Sequence, residues 1–364
     1  MTVRKKGLTA LLQPKMPPES ERSHDAWDAI EAKVEFLQRP ASYPDNPRQI
    51  EAVETHMSWV FLTDNYAYKL KKPVRYEFLD FSTVDARHHD CDEEVRLNRR
   101  LARDVYIGTV PLMVNEMGGM RLGGEGTAVD WLVKMRRLPR GRMLDHAIKN
   151  RTVSAAEITH TATVLANFYK DSPPIEIAPS EYRQRFEADI HANLRELTIP
   201  AYGLPVDRVP SVCAAQLEFL KRASELFDQR VREGRIIEAH GDLRPEHVCL
   251  EPEPVIIDCL EFKREFRILD PADELSFLVM ECERLGAPAF VDHLIMETYS
   301  QITGDTPPGK LLHFYKSYRA GLRAKLAVWH LREPKVQDAS KWLTLARQYL
   351  DMAGTHIREA GAGF

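Results

Sequence analysis

The sequence predicts an α+β protein built from two lobes, a smaller β-rich lobe followed by a larger helical lobe. Between residues 53 and 138, short β-rich runs are separated by turn residues. Beyond Pro139 the apolar residues recur mainly at the spacing of amphipathic helices. The chain has 364 residues, 44% of them hydrophobic and 29% charged, which is typical of a globular protein that can bury a core. We therefore expect a bilobal architecture with the crossover near Val133 to Leu138.

Three segments follow from this pattern. We assign residues 1–45 to an N-terminal arm and helix, residues 46–135 to the N-terminal lobe and residues 136–364 to the C-terminal lobe. Residues 1–22 are rich in Pro, Lys and Ser, which indicates a loose arm. Ser23 can cap a helix whose apolar residues recur at helical spacing. They are Trp27, Ile30, Val34 and Leu37.

Charge and cysteine usage exclude several classes of protein. The net charge of −4 gives no basic field that would recruit nucleic acid or an anionic membrane. The five cysteines include no CxxC pair, which argues against a zinc ribbon or a disulfide scaffold and indicates a reducing compartment. The N-terminal apolar run is too short for a signal peptide, and no apolar segment approaches about eighteen residues. We expect a cytoplasmic protein without nucleic-acid or membrane partners, and the sequence leaves its oligomeric state open.

The N-terminal lobe opens with a predicted hairpin and a predicted helix. In "VETHMSWVFLTDNYAYKLKKPV" two β-rich runs are separated by Asp64-Asn65, and Pro73 ends the second run. The next stretch, "STVDARHHDCDEEVRLNRRLA", predicts a helix capped by Ser82 or Thr83. Further strands follow around glycine-rich turns in "YIGTVPLMVNEMGGMRLGGEGTAVDWLVKMRRLP".

Two acids stand near a predicted pair of short strands in the helical lobe. The strands are residues 247–250 and 255–258, joined by "EPEP". Asp258 ends the apolar run "PVII", where a carboxylate is costly unless something positive pairs with it. Taken alone, a carboxylate that caps a turn is the simpler interpretation. Since a hairpin brings strand ends together, Asp242 and Asp258 could instead converge on one Mg²⁺–nucleotide site.

The segment "EAHGDLRPEH", residues 238–247, concentrates charged and imidazole side chains. It resembles the catalytic loop of the aminoglycoside phosphotransferase group, within the protein-kinase-like superfold, and "VIIDCLEF" resembles its metal-binding loop. The resemblance implies a bilobal kinase-like fold in which Asp242 is the catalytic base. It also implies that Asp258 holds Mg²⁺ against the ATP phosphates and that Arg244 stabilises the charge of the transferring phosphate.

His247 departs from the family pattern. The fifth residue after Asp242 is normally an asparagine that binds a second metal ion, and here it is His247. A neutral imidazole can bind a metal or donate a hydrogen bond, but it is a poor ligand for Mg²⁺. We therefore expect His247 to be either an atypical metal ligand or a hydrogen-bond partner, with Mn²⁺ as an alternative ion.

The resemblance extends to a lysine and a glutamate of the N-terminal lobe. "YAYKLKKPV" resembles the strand that carries the phosphate-anchoring lysine of kinases, which implies that Lys69 has this role. Lys71 shares its strand face and is the register alternative, and both could equally protect an exposed strand edge. In "EEVRLNRRL" the apolar residues one, three and seven positions later select Glu94 over Glu93 as the partner of Lys69.

The nucleotide-covering loop and the hinge carry weaker signals. "VETHMSWVF" has no glycine where kinases often have G-x-G-x-x-G, so Thr55, His56 and Ser58 are either phosphate donors or plain strand residues. "LVKMRRLPRG" resembles the hinge, which implies that backbone groups of Lys134 and Met135 bind adenine.

Acids farther along the chain have two interpretations each. In "RILDPADELSFL", Asp270 and Asp273 bracket Pro271 at a helix start, where carboxylates favour the helix dipole. The resemblance implies that Asp273 braces the catalytic loop. Other acids could face a cationic substrate, although a solvated helix face is the simpler interpretation. They are Glu261, Glu265, Glu281 and Glu283.

These patterns predict a phosphotransferase that uses ATP and Mg²⁺ to phosphorylate a hydroxyl of a small polar acceptor, such as an aminoglycoside-like or sugar-like molecule. Two alternatives remain. A protein kinase is favoured by the likeness of "DLRPEH" to D-L-K-P-E-N, but no A-P-E-like run follows Asp258. A non-catalytic nucleotide-binding module would explain His247, but it would have no need of Asp242 as a base.

Overall fold

A computed structural model describes residues 29–76, 79–205, 207–332 and 338–361. Ser23, the predicted cap, and Trp27, the first apolar residue of the predicted helix, lie outside the described residues. The chain forms two compact units. The N-terminal unit comprises Met1–Arg140 and Ile256–Arg264, and the C-terminal unit comprises Gly141–Val255 and Glu265–Phe364.

A six-stranded antiparallel sheet forms the centre of the N-terminal unit, in the order β1-β2-β3-β8-β6-β7. A separate two-stranded piece pairs β4 with β5. The strands are β1 (Glu51–Glu54), β2 (Ser58–Leu62), β3 (Tyr66–Lys71), β4 (Arg75–Tyr76), β5 (Leu79–Asp80), β6 (Tyr106–Val114), β7 (Met120–Leu122) and β8 (Thr127–Arg136). The helices of this unit are α1 (Ile30–Leu37) and α2 (Val84–Asn98).

Local signals in the sequence account for these elements. The predicted hairpin is confirmed, because β2 and β3 pair antiparallel around the turn at Asp64-Asn65. The predicted helix is α2, and the structure selects Thr83 as its cap, since the Thr83 Oγ1 accepts a hydrogen bond from the amide of Ala86 at 3.1 Å.

A buried carboxylate joins the helices of the N-terminal unit to its sheet. Asp130 of β8 is fully buried and accepts hydrogen bonds from Lys33 of α1 and Arg87 of α2, each with a shortest contact of 2.8 Å. A buried charge is tolerated only when it is paired in this way. Phe61, Leu70 and other apolar residues of the sheet form a core cluster of this unit.

Helices dominate the C-terminal unit, as the sequence predicts. They are α3 (Leu144–Lys149), α4 (Ala155–Asp171), α5 (Pro179–Leu197), α6 (Arg208–Arg222), α7 (Ser224–Arg232), α8 (Pro271–Arg284), α9 (Phe290–Thr303), α10 (Gly309–Trp329) and α11 (Ala339–Glu359). Their largest apolar cluster is built on aromatic contacts among Phe186, Phe227 and Phe314. No helix in the described part of the chain is long and apolar enough to span a bilayer.

Four short strands complete the chain. They are β9 (Ile237–Glu238), β10 (Val248–Cys249), β11 (Val255–Ile256) and β12 (Ile268–Leu269). β9 pairs antiparallel with β12. The strands β10 and β11 are the two that the sequence predicts, each shorter than expected, so that Asp258 lies just beyond the end of β11.

Candidate active site

Lys69 contacts two carboxylates in the N-terminal unit. It lies on β3, and its Nζ is 2.9 Å from Glu94 Oε1 on α2 and 2.9 Å from Asp258 Oδ1. The three residues are far apart in the sequence, and the fold brings their charged groups together. The predicted partner of Lys69 is therefore in contact with it, and so is the predicted metal ligand.

Lys71 is the second lysine on the same face of β3. It is fully buried, and its Nζ is 2.7 Å from Asp90 Oδ2 and 2.7 Å from Glu94 Oε2, with a further contact to Glu261. Lys71 donates hydrogen bonds to Glu94 and Glu261, and Asp90 lies within ion-pair distance. Lys71 is thus held in place by the protein itself, whereas Lys69 has two carboxylate contacts among the described residues.

The carboxylates keep both lysines charged. Burial would lower the pKa of Lys69, but the charges of Asp258 and Glu94 outweigh it and raise the pKa well above its ordinary value. The same holds for the pKa of Lys71, where Glu261 and Glu94 make the largest opposing contributions. Both side chains are therefore permanent cations at neutral pH.

Asp258 occupies an unusual backbone conformation. Its φ is 62°, in the left-handed region that asparagine and aspartate tolerate better than most residues. Two polar side chains fix the backbone here: the Asp258 amide donates to Tyr106 Oη at 3.1 Å, and the Cys259 amide donates to Asn98 Oδ1 at 2.9 Å. The carboxylate is 45% exposed, so that a ligand can reach it. An accessible carboxylate is the kind of ligand through which proteins hold Mg²⁺ on a nucleotide.

The turn between β1 and β2 holds two of the predicted phosphate donors. The Thr55 hydroxyl donates to the Ser58 carbonyl at 2.9 Å and accepts from the Ser58 amide at 3.0 Å. Thr55 and His56 are exposed, whereas Ser58 is buried. The Thr55 hydroxyl therefore stabilises the turn between β1 and β2, and its role toward phosphate stays a prediction.

The two residues predicted to meet adenine lie inside β8. Lys134 is opposite Tyr68 of β3, and Met135 is opposite Ala67, while β6 pairs with the other edge of the strand. The Lys134 ammonium lies 4.1 Å from the centre of the Tyr66 ring. Because strands flank β8 on both sides, backbone groups here belong to the sheet, and adenine binding at Lys134 and Met135 stays a prediction.

The loop that follows β9 in the C-terminal unit is held by a buried glutamate of α8. Glu274 Oε1 accepts hydrogen bonds from the amides of His240 at 3.0 Å and Gly241 at 2.6 Å, and its Oε2 accepts from the Tyr169 hydroxyl at 2.9 Å. Gly241 has a φ of 90°, which side-chain-bearing residues rarely adopt. The glycine of the motif is thus required by the backbone, and the loop is fixed immediately before Asp242.

Arg244 links the side chains of this loop. Its Nε donates to Asp242 Oδ2 at 3.0 Å, and its Nη1 donates to Glu246 at 2.7 Å. Burial would lower the pKa of Arg244, but the attraction of Asp242 outweighs it and raises the pKa. The structure therefore places a fixed cation directly against the predicted catalytic carboxylate.

His247 has both ring nitrogens engaged in the loop. Its Nδ1 is 2.8 Å from the carbonyl oxygen of Asp242, which can only accept, so Nδ1 carries the proton. The Nε2 then accepts from Arg244 Nη2 at 3.0 Å. Of the two roles expected for His247, metal ligand or hydrogen-bond partner, this geometry fits the second. A role as a metal ligand stays a prediction, and it requires Arg244 to release Nε2.

The capping role expected at the start of α8 is confirmed for Asp270, whereas Asp273, among the described residues, does not contact the catalytic loop in the way the resemblance implied. Asp270 caps the helix and accepts from the buried Arg230, whereas Asp273 is bound by Arg319 at 2.6 and 2.7 Å. The hydrogen bonds to the catalytic loop come from Glu274, the next residue. The brace that the resemblance assigned to Asp273 is therefore formed by its neighbour.

Of the four acids considered for a cationic substrate, one is exposed and three are paired with cations of the protein. Glu265 is exposed. Glu261 contacts Lys71, and Glu283 accepts a hydrogen bond from a lysine of α10 at 2.9 Å. Glu281 is fully buried and accepts from Arg323 at 3.0 Å. A solvated helix face is thus wrong for Glu281, because its charge is compensated inside the protein.

Sequence reasoning missed Glu274 and the partners of Lys71. The spacing of Asp90 and Glu94, one helical turn apart on α2, was a signal for the second lysine. No comparable signal distinguished Glu274 from Asp273. The predicted convergence of Asp242 and Asp258 stays a prediction, since they belong to different units.

Comparison with known sequences gives relatives without a described activity. No family model matches the chain. It is 32% identical over 321 residues to proteins of Mycobacterium tuberculosis and Mycobacterium bovis that are described as uncharacterized. The alignment covers 86% of this chain but 62% of each of those proteins. The chain therefore spans less than two thirds of the length of the curated relatives it matches.

Solved structures share the fold at low sequence identity. A choline/ethanolamine kinase family protein from Mesorhizobium loti superimposes with a TM-score of 0.50 and 14% identity, covering 91% of this chain and 99% of that one. A thermostable mutant of an aminoglycoside phosphotransferase, in its apo form, gives a TM-score of 0.50 and 11% identity, with coverages of 87% and 96%. The α+β, protein-kinase-like fold predicted from the sequence is confirmed, and at these identities the likeness is one of fold.

Proposed function

We propose that this chain is an ATP-dependent phosphotransferase that moves the γ-phosphate to a hydroxyl of a small polar molecule. The observation that carries the proposal is the position of Lys69, whose Nζ lies 2.9 Å from both Glu94 and Asp258. Phosphoryl transfer depends mainly on positioning and charge neutralisation, and this group supplies a fixed cation beside an accessible carboxylate.

In the N-terminal unit, we assign phosphate binding to Lys69 and metal binding to Asp258. Lys71 is the poorer candidate for phosphate, because it is fully buried and its ammonium group is surrounded by three carboxylates. Glu94 orients both lysines. When bound, Mg²⁺ or Mn²⁺ would neutralise charge on the phosphates. The Asp258 carboxylate and the phosphate oxygens are hard oxygen ligands, which such an ion prefers.

In the C-terminal unit, we assign the role of base to Asp242. The carboxylate is partly exposed, with 23% of the side chain accessible, so that an acceptor hydroxyl can reach it. It can orient that hydroxyl and receive its proton as the phosphate is transferred. Arg244, at 3.0 Å, orients the carboxylate, and Glu274 fixes the backbone that precedes it.

The acceptor is proposed by class only. The two solved structures of the same fold belong to proteins named for choline or ethanolamine and for aminoglycosides, which are small molecules with hydroxyl groups.

All five cysteines are buried thiols without a disulfide bond among the described residues, which supports a cytoplasmic location.

The first experiment measures thermal stability with ATP and Mg²⁺, and again with Mn²⁺. A ligand at about 100 times its dissociation constant stabilises the folded state by about 2.7 kcal/mol. We expect a metal-dependent shift in the wild type that is lost in Asp258→Asn. Asparagine suits this position because it tolerates the left-handed backbone at φ 62°. Glu265→Gln, at an exposed acid, is the matched control and should keep the full shift.

The second experiment follows ATP hydrolysis, in which water serves as the acceptor. Asp242→Asn should lower the rate by about 10²- to 10⁴-fold, the usual contribution of a general base, and should leave the nucleotide-induced shift intact. Hydrolysis at the wild-type rate in this variant would refute Asp242 as the base. A wild type that shows a nucleotide-induced stability shift but transfers no phosphate to water or to any small polar alcohol would favour the non-catalytic nucleotide-binding module. The hydrogen bonds made by both ring nitrogens of His247 also favour this alternative.

A further inference from the structure

A cluster of two histidines and a glutamate lies where α10 and α11 meet, and the proposed phosphotransfer makes no use of it. His313 comes from α10, and His356 and Glu359 come from one turn of α11. Their ligand atoms approach closely: His313 Nδ1 is 3.2 Å from His356 Nδ1 and 3.0 Å from Glu359 Oε2, and His356 Nδ1 is 3.2 Å from the same Oε2.

The three atoms have the spacing of a metal-ligand set. They form a nearly equilateral triangle with edges of 3.0 to 3.2 Å. A tetrahedral zinc ion with bonds of about 2.0 Å to nitrogen and oxygen separates its ligands by about 3.3 Å. One ion seated above this triangle would reach all three atoms with little movement of the side chains.

His356 presents one ring nitrogen to the triangle and the other to a carboxylate. Its Nε2 lies 2.9 Å from Glu283 Oε2, which can only accept, so Nε2 carries a proton. Its Nδ1 faces His313 Nδ1 and Glu359 Oε2, each at 3.2 Å. A cation between these three atoms, either a proton on an imidazole or a metal ion, is what joins them.

The surroundings support a metal ion in two further ways. Glu283, which binds the outer nitrogen of His356, forms the carboxylate–histidine arrangement that usually orients a metal-binding imidazole. Acidic groups also lie next to the cluster: Lys316 bonds to Glu283 and Asp292, and Glu359 contacts both histidines. Carboxylates beside the imidazoles favour a bound cation.

We propose that His313, His356 and Glu359 bind one Zn²⁺ ion. Two imidazoles and a carboxylate are typical zinc ligands, and such sets leave a fourth position for water. The half-exposed side chain of Glu359 gives that position access to solvent. The ion ties the last turn of α11 to α10. The site is independent of the proposed phosphotransferase activity.

The test is calorimetric titration of the chelator-treated full chain with ZnCl₂, supported by the visible absorption of Co²⁺ bound in its place. We expect one equivalent in the wild type and none at this site in His313→Gln or Glu359→Gln. Both side chains are partly exposed, so folding should survive, and circular dichroism checks it. Glu283→Gln should bind about 10- to 100-fold more weakly, as loss of a supporting carboxylate usually does.

The matched control is His293→Gln. His293 and Glu297 form an exposed histidine–carboxylate pair on α9, with 3.2 Å between Nε2 and Oε2, and should leave the zinc stoichiometry and affinity unchanged. Asp258→Asn should also keep the zinc equivalent. The proposal is overturned if the wild type binds no Zn²⁺, or if the bound equivalent survives both His313→Gln and Glu359→Gln.

Discussion

Two buried glutamates, one in each unit, hold predicted site residues of their own unit by different means. Glu94 is 0% exposed, and its two oxygens contact the ammonium groups of Lys69 and Lys71. Glu274 is 1% exposed, and its oxygens accept from two backbone amides and one phenol. The first carboxylate is compensated by full charges, and the second by dipoles.

The pKa values reflect this difference. The carboxylates around the two lysines raise the lysine pKa values well above the ordinary range, although burial alone would lower them. Burial raises the pKa of Glu274, and the amides of Gly241 and His240 offset that rise only in part. The two lysines, which are paired with carboxylates, therefore stay charged, whereas Glu274, whose partners are dipoles, keeps a net cost of ionisation.

The largest effect is expected for Glu94→Gln. Removing one partner of a buried ion pair typically lowers the free energy of unfolding by about 3–5 kcal/mol, because the remaining charges stay buried. Lys69 loses one of its two carboxylates, so the stabilisation by ATP and Mg²⁺ should also decrease. Urea denaturation with and without nucleotide measures both.

The neighbouring acid is the control for this substitution. Glu93 lies near the surface of α2 and is bonded to Arg96, so Glu93→Gln should change the free energy of unfolding by no more than about 1 kcal/mol. Equal losses in Glu93→Gln and Glu94→Gln would contradict the proposed role of Glu94.

The same contrast explains what the sequence could and could not reveal. The resemblance of the segments around Lys69, Glu94 and Asp258 to kinase motifs predicted site residues that the fold does bring into contact. The group was recognisable because its members are side chains, whose identities the sequence states directly. The hairpin and the Thr83 cap were predictable for a similar reason, since turn and cap residues act locally.

Glu274 was not predictable, because its partners are backbone amides, which every residue except proline possesses. The resemblance pointed to Asp273, and only the rotation of α8 determines which of two adjacent acids faces the loop. The sequence could not decide between the two roles of His247 for a related reason. Its ring contacts a backbone carbonyl and Arg244 within the same loop, and the loop conformation decides both contacts.

A smaller effect is expected for Glu274→Gln. The amide side chain keeps one oxygen, but its NH₂ group cannot accept, so at least one buried donor loses its partner. This should lower the free energy of unfolding by about 1–3 kcal/mol and reduce the rate of ATP hydrolysis without weakening nucleotide binding. Tyr169→Phe, which removes only the phenol donor, should cost about 1 kcal/mol and leave the rate nearly unchanged. An equal loss of rate in Tyr169→Phe and Glu274→Gln would contradict the proposal that Glu274 acts through its hydrogen bonds to the His240 and Gly241 amides.

The smallest effect is a difference in pH dependence between the wild type and Glu274→Gln. The pKa of Glu274 is raised in the folded state by burial, so between the ordinary value of about 4.3 and the raised value the native state binds more protons than the unfolded state. The contribution of Glu274 to the free energy of unfolding should therefore fall as pH rises through that window, by at most about 1.4 kcal/mol per pH unit, and then level off. Asp273, whose pKa burial also raises, is present in both proteins, so the difference between them isolates Glu274. Urea denaturation at steps from about pH 4 to pH 8 measures this difference. A wild-type advantage that grows with pH would mean that the amides around Glu274 stabilise its charge more strongly than burial opposes it, and the distinction between the two glutamates would fail.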